Sequence, residues 1–171
     1  MTNNTEATEL FEAGMMAFSD SDWDKSIEKF TRAAEADPEF ETAYLSRGAA
    51  LIRAGRAVDA VGDFDKVIEL NPANRRAYNL RGVALTAIGE HEKAVADFSK
   101  AIELDPEYGA AYLGRANAHG ALGHGDAAKA DMQMSVQIGQ KNLQTYANET
   151  NIWQSDHLRV EAEGIASEIH R

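Results

Sequence analysis

No cysteine occurs among the 171 residues, so the chain can hold no disulfide and no thiolate metal site, and its thiol chemistry says nothing about compartment. Proline is nearly as scarce, with three residues, and aromatic residues make up 8% of the chain. Basic residues are outnumbered: 17 Lys and Arg face 28 Asp and Glu, a formal net charge of −11, with the acidic residues spread along the chain rather than gathered in a tail. Such a surface favours solubility and repels phosphate backbones and anionic lipid, which argues against a nucleic-acid partner. No stretch approaches the roughly 18 uninterrupted apolar residues of a membrane-spanning helix. Met1 to Glu9 is polar and acidic, without the basic start and apolar run of an export signal. The expectation is one cytoplasmic domain that does not insert into a membrane.

The few prolines matter through their positions, because Pro38, Pro72 and Pro106 are 34 residues apart. The segments ending on them read SIEKFTRAAEADP, AVGDFDKVIELNP and AVADFSKAIELDP, three copies of one helix. A fourth copy, AKADMQMSVQIGQ, follows in register with Met132 for the phenylalanine and Gln140 for the proline. A second helix precedes each copy: Tyr44, Arg47, Gly48 and Leu51 return as Tyr78, Arg81, Gly82 and Leu85, and partly as Tyr112, Arg115, Ala116 and His119. Ala94, Phe98, Ala101 and Ile102 form one apolar stripe of a helix with about 3.6 residues per turn. Gly55, Gly89 and Gly123, again one period apart, fall between the helices of a pair, where positive φ lets one helix close and the next begin. The prolines separate one pair from the next.

A helix-turn-helix unit of 34 residues with an aromatic residue, a glycine four positions on, then alanine, phenylalanine and proline at fixed offsets resembles the tetratricopeptide repeat. The resemblance runs in four units, 7–40, 41–74, 75–108 and 109–142, after a short polar arm at 1–6. The second and third units keep closest to the pattern; the first has Leu10 in the aromatic slot and Ser26 in the small-residue slot. The resemblance implies an all-α fold, a right-handed superhelical array or α-solenoid of antiparallel helix pairs, in which each pair needs a neighbour to bury its apolar face. Segment 143–171 is expected as a C-terminal helical cap, the trace of a fifth repeat. Tyr146 stands one period after Tyr112, and Leu158, Ala162, Ile165 and Ile169 form a stripe behind the N-cap candidates Ser155 and Asp156.

Several residue sets invite a chemical reading. Arg47, Arg81 and Arg115 recur one period apart, which suggests an anion ladder; but Asp63, Asp97 and Asp131 recur in the same three units, and the first unit lacks both, with Ala13 and Lys29 instead. Joint presence and joint loss point to structural ion pairs between the two helices of a unit. His91 and His124 lie in equivalent turns, but a zinc site needs more converging ligands, so no metal and no cofactor is expected. Gly120, Gly123 and Gly125 lack the preceding strand of a phosphate-binding loop and read as a loose turn. No nucleophile, base and carboxylate set stands out, and the chain is not expected to be an enzyme.

The resemblance also implies where a partner binds. In this family the first helix of each pair lines a concave surface that grips extended peptides or helices. Carrying over the lining positions gives a peptide groove of Phe11, Met15, Leu45, Ala49, Ile52, Asn79, Leu80, Val83, Leu113 and Asn117, mostly apolar with two amides. One subclass binds acidic chaperone tails through a clamp that begins with lysine and asparagine; here Phe11 and Met15, or Leu45 and Ala49, occupy those places. A hydrophobic or mildly basic protein segment is the expected ligand. The alternative is self-assembly into a homo-oligomeric scaffold, with Leu10, Met16 and Phe18 as an apolar amino-terminal surface.

Overall fold

The computed structural model describes residues 2–149. Among them are eight helices and no strand: α1 (Thr2–Ser19), α2 (Trp23–Ala36), α3 (Glu41–Arg53), α4 (Ala57–Leu70), α5 (Arg75–Ala87), α6 (His91–Leu104), α7 (Gly109–Ala121) and α8 (Gly125–Glu149). Each helix packs on its sequence neighbours. In addition α3 meets α5 and α5 meets α7, while the second helices α2, α4, α6 and α8 make no comparable contacts with one another. Close approach on one side and separation on the other bends the stack into an all-α solenoid, with the first helices of the pairs on its inner face.

The core follows the period. Phe30, Phe64 and Phe98 are fully buried, and each ring lies over the glycine of its own unit's first helix. A Cβ built on Gly14, Gly48 or Gly82 would stand 2.6, 2.6 or 2.8 Å from the nearest ring atom. Phe98 also lies against Gly114 of the following pair, so one ring joins two units. In the fourth pair Ala116 stands in the glycine's place and Met132 in the phenylalanine's.

The turns inside each pair close by one device. The N–H groups of Asp22, Arg56, Glu90 and His124 donate to the carbonyls of Ala17, Leu51, Leu85 and His119 at 2.8–2.9 Å, the six-to-one bond that ends a helix with a left-handed residue. Gly55, Gly89 and Gly123 supply that residue at φ +75°, +83° and +77°. Ser21 takes the same place in the first pair at φ +60°.

Helix extends across both of the outer boundaries read from the repeats. α1 includes 2–6, the segment expected as a polar arm, and no proline or glycine precedes Gly14 to interrupt it. α8 runs unbroken to Glu149, through the expected boundary at 143 and past Tyr146, because Gln140 replaces the proline that ends α2, α4 and α6 one residue beyond their caps. The cap residues Leu158, Ala162, Ile165 and Ile169 lie outside the described residues. Met132, which takes the place of Phe98, is 44% exposed where Phe98 is 1% exposed; no following pair covers it among the described residues.

Gly48→Ala tests the ring contact. Alanine favours a helix, yet its methyl would overlap the Phe64 ring, and the net change expected is a loss of about 1–2 kcal/mol in a urea titration. A gain in stability would show that the ring moves aside freely.

Candidate protein-binding surface

The arginines sit where the helices of successive pairs meet. Arg47 donates through Nε and Nη2 to the two carboxylate oxygens of Asp63 at 2.9 and 2.5 Å. Arg81 does so to Asp97, both at 2.7 Å, and Arg115 to Asp131 at 2.8 and 2.7 Å. The three aspartates are buried, and each guanidinium also lies over the ring of Tyr44, Tyr78 or Tyr112 in the turn before it. The remaining nitrogen Nη1 reaches the preceding pair: Thr31 at 3.2 Å, Asp65 at 2.6 Å and Ser99 at 2.9 Å. One planar fork thus joins three helices of two units, which a lysine's single ammonium cannot reproduce.

Hydrogen bonding to the partner carboxylate, opposed by burial, raises the pKa of all three guanidiniums above the ordinary arginine value. A raised folded-state value means that the stabilisation is fully present below the ordinary guanidinium value and is lost only as pH climbs beyond it. The guanidinium side of the ladder therefore stays charged at any working pH. Lys29 of the first pair instead meets its neighbour Glu28 at 3.0 Å. A cleft of about 380 Å³ between α4, α5 and α6 is lined by Val61, Asp65, Arg81, Leu85, Lys93, Ala96 and Asp97. Its charges are already matched, Arg81 with both carboxylates and Lys93 with Glu90, so it offers no unpaired group to a ligand.

The inner face divides by depth. Leu45 and Asn79 are each only 7% exposed, and Leu45 belongs to the core cluster with Phe64, Val67 and Ala77. Phe11 packs on Phe30 and Phe40, with centroids 5.5 and 5.2 Å apart. Ile52 and Leu80 lean on the same core as Leu45. The reason is positional: Phe11, Leu45, Asn79 and Leu113 are equivalent, and the following pair covers this position. Leu113, with no following pair among the described residues, is 43% exposed. Asn79 keeps a buried Oδ1 without a hydrogen-bond partner.

What stays reachable is the row one helical turn further on: Met15 (45% exposed), Ala49 (half-buried), Val83 (36% exposed) and Asn117 (exposed), one period apart along α1, α3, α5 and α7. At the amino-terminal end Leu10 is half-buried, Phe18 packs edge-on against Trp23 at 5.2 Å, and Met16 stands open.

The sequence profile of the tetratricopeptide repeat matches residues 11–74 and again 76–108. The chain belongs to the tetratricopeptide repeat family. Tetratricopeptide repeat domains generally mediate protein–protein interaction and are generally non-catalytic. Among solved structures, the chain is similar to the first tetratricopeptide domain of Spaghetti (RPAP3) bound to the HSP90 peptide SRMEEVD. That likeness has 28% identity and a TM-score of 0.68 over 70% of this chain and 95% of that one. It is also similar to the tetratricopeptide domain of Arabidopsis OM64, with 25% identity and a TM-score of 0.67 over 69% and 98% of the two chains. MamA from Desulfovibrio magneticus RS-1, 21% identical, shares the fold with a TM-score of 0.75 over 82% and 78%. No curated protein sequence matches the chain significantly. No helix among the described residues is long and apolar enough to cross a membrane.

The link from each arginine to the preceding repeat went unpredicted, although Thr31, Asp65 and Ser99 recur at the same 34-residue period and carried the signal. Arg81→Lys tests the fork: the charge survives and the second attachment is lost, at an expected cost of about 2 kcal/mol in urea unfolding. The double variant Arg81→Leu with Asp97→Leu should be less destabilised than Arg81→Leu alone, which strands a buried carboxylate. An unchanged Arg81→Lys midpoint would deny the fork a role.

Proposed function

We propose that this tetratricopeptide protein is a non-catalytic adaptor that holds an extended or helical segment of a partner protein against its concave face. The observation that carries the reading is the row Met15, Ala49, Val83 and Asn117: three apolar side chains and an amide, at one level of four successive first helices, reachable where their neighbours are buried. Apolar side chains supply contact area, and the amide can meet the backbone of an extended chain. The RPAP3 domain solved with an HSP90 peptide supports a peptide as the class of ligand. The ligand itself differs in chemistry, because the clamp's first lysine and asparagine are replaced by Phe11 and Met15, or by Leu45 and Ala49. An acidic tail would also meet a chain of net charge −11. A hydrophobic or mildly basic segment suits the row and its acidic surroundings. Intracellular, cytoplasmic action fits the same composition.

A second reading has its own observation. Met132, Val136 and Leu143 lie exposed along one face of α8, and the first two occupy the positions of Phe98 and Ile102, which face the core in the third pair. A second copy stacked there would build a scaffold.

Met15→Glu with Val83→Glu separates the two. Both sites are exposed, so the helical circular-dichroism signal should persist while affinity capture from a cell extract loses its partner. Retained capture would refute the groove. Light scattering across a concentration series should show a monomer throughout; concentration-dependent growth abolished by Val136→Glu would favour the scaffold.

A further inference from the structure

The turn between α7 and α8 differs from the other three in a way that ion pairing and packing do not explain. At the two residues joined by the six-to-one hydrogen bond, the earlier pairs carry Ala17 and Asp22, Leu51 and Arg56, and Leu85 and Glu90. The fourth pair carries His119 and His124, both able to ligate a metal. The backbone bond from His124 N–H to His119 C=O, 2.9 Å long, and the left-handed Gly123 at φ +77° hold the two Cα atoms in place. The rings come together with centroids 5.5 Å apart and an interplanar angle of 49°. Their Nδ1 atoms are 3.3 Å apart.

In the metal-free chain one ring can donate its Nδ1–H to the other at that separation, and the same separation suits a bridging metal ion. Two imidazole nitrogens bound to zinc at about 2.0–2.1 Å, at the tetrahedral angle, lie about 3.3–3.4 Å apart. A square-planar centre such as copper(II) would hold adjacent nitrogens at about 2.8–2.9 Å. The observed edge is the tetrahedral one. His124 is exposed and His119 half-buried, so an ion has access without unfolding, and the absence of cysteine leaves no thiolate to compete. His91, at the start of α6, has no such neighbour; its Nδ1 is buried without a hydrogen-bond partner.

We propose that His119 and His124 form a two-imidazole chelate for Zn2+, each ligating through Nδ1. Among the described residues no third histidine, aspartate or glutamate completes a cluster, so water or a further donor fills the remaining positions. The site is open in the manner of zinc centres that accept an outside donor, and its turn is already folded before the ion arrives.

The test is calorimetric titration of the full, untagged chain with zinc chloride in a non-coordinating buffer, paired with nitrogen-15 NMR of the histidine rings. One saturable site per chain is expected, with the bound-state shifts of His119 and His124 marking Nδ1 ligation. His119→Ala and His124→Ala should each weaken that site at least about tenfold with the helical circular-dichroism signal intact, while His91→Ala leaves it unchanged. No saturable binding, ligation through Nε2, or undiminished affinity in either alanine variant would overturn the proposal.

Discussion

The contact between a phenylalanine of the second helix and a glycine of the first, made in the first three pairs, governs this structure. With the ring of Phe30, Phe64 or Phe98 lying where a Cβ would otherwise stand, two helices cross at short range and the side chains around them can bury their apolar area. Phe98 shows how the same ring extends the stack, since it is held between Gly82 of its own pair and Gly114 of the next. The bend that places the first helices inside follows from these close approaches, and the inner face exists only because of the bend.

Charge is used differently at the joints and on the surface. The guanidiniums of Arg47, Arg81 and Arg115 are each committed to one carboxylate in their own pair and one oxygen in the pair before. A fully occupied fork removes the desolvated charge that would otherwise make the interior costly, and it leaves the cation unavailable to an anionic ligand. The concave row of Met15, Ala49, Val83 and Asn117 is left without a cation of its own. This contrast gives the proposed adaptor its preference: shape and apolar contact inside, negative charge outside.

Much of the architecture was legible because one period repeats in every feature. Prolines, turn glycines and the aromatic–glycine contact all recur at 34 residues, and the arginine–aspartate pairs could be read from their joint loss in the first unit. The period says less about depth. Leu45 and Asn79 share a face with Val83, yet the following pair covers one level and not the other, and only packing distinguishes them. A repeat pattern marks where units begin and says less about how far a helix runs: α1 already covers 2–6, and α8 passes 143 without a break. The period pairs His124 with His91 by turn position, whereas the fold puts it beside His119, which stands in a leucine slot. Their proximity depends on a helix-ending hydrogen bond that no residue type announces.

The claim that the concave face is the binding surface is tested most directly by methyl NMR of Met15, Ala49, Val83 and Leu113 during titration with the interacting segment of a captured partner. The account predicts that these methyl signals shift or broaden together, with the amide of Asn117, while signals of α2, α4 and α6 stay in place. Changes confined to the second helices, or to Met132, Val136 and Leu143 of α8, would contradict it.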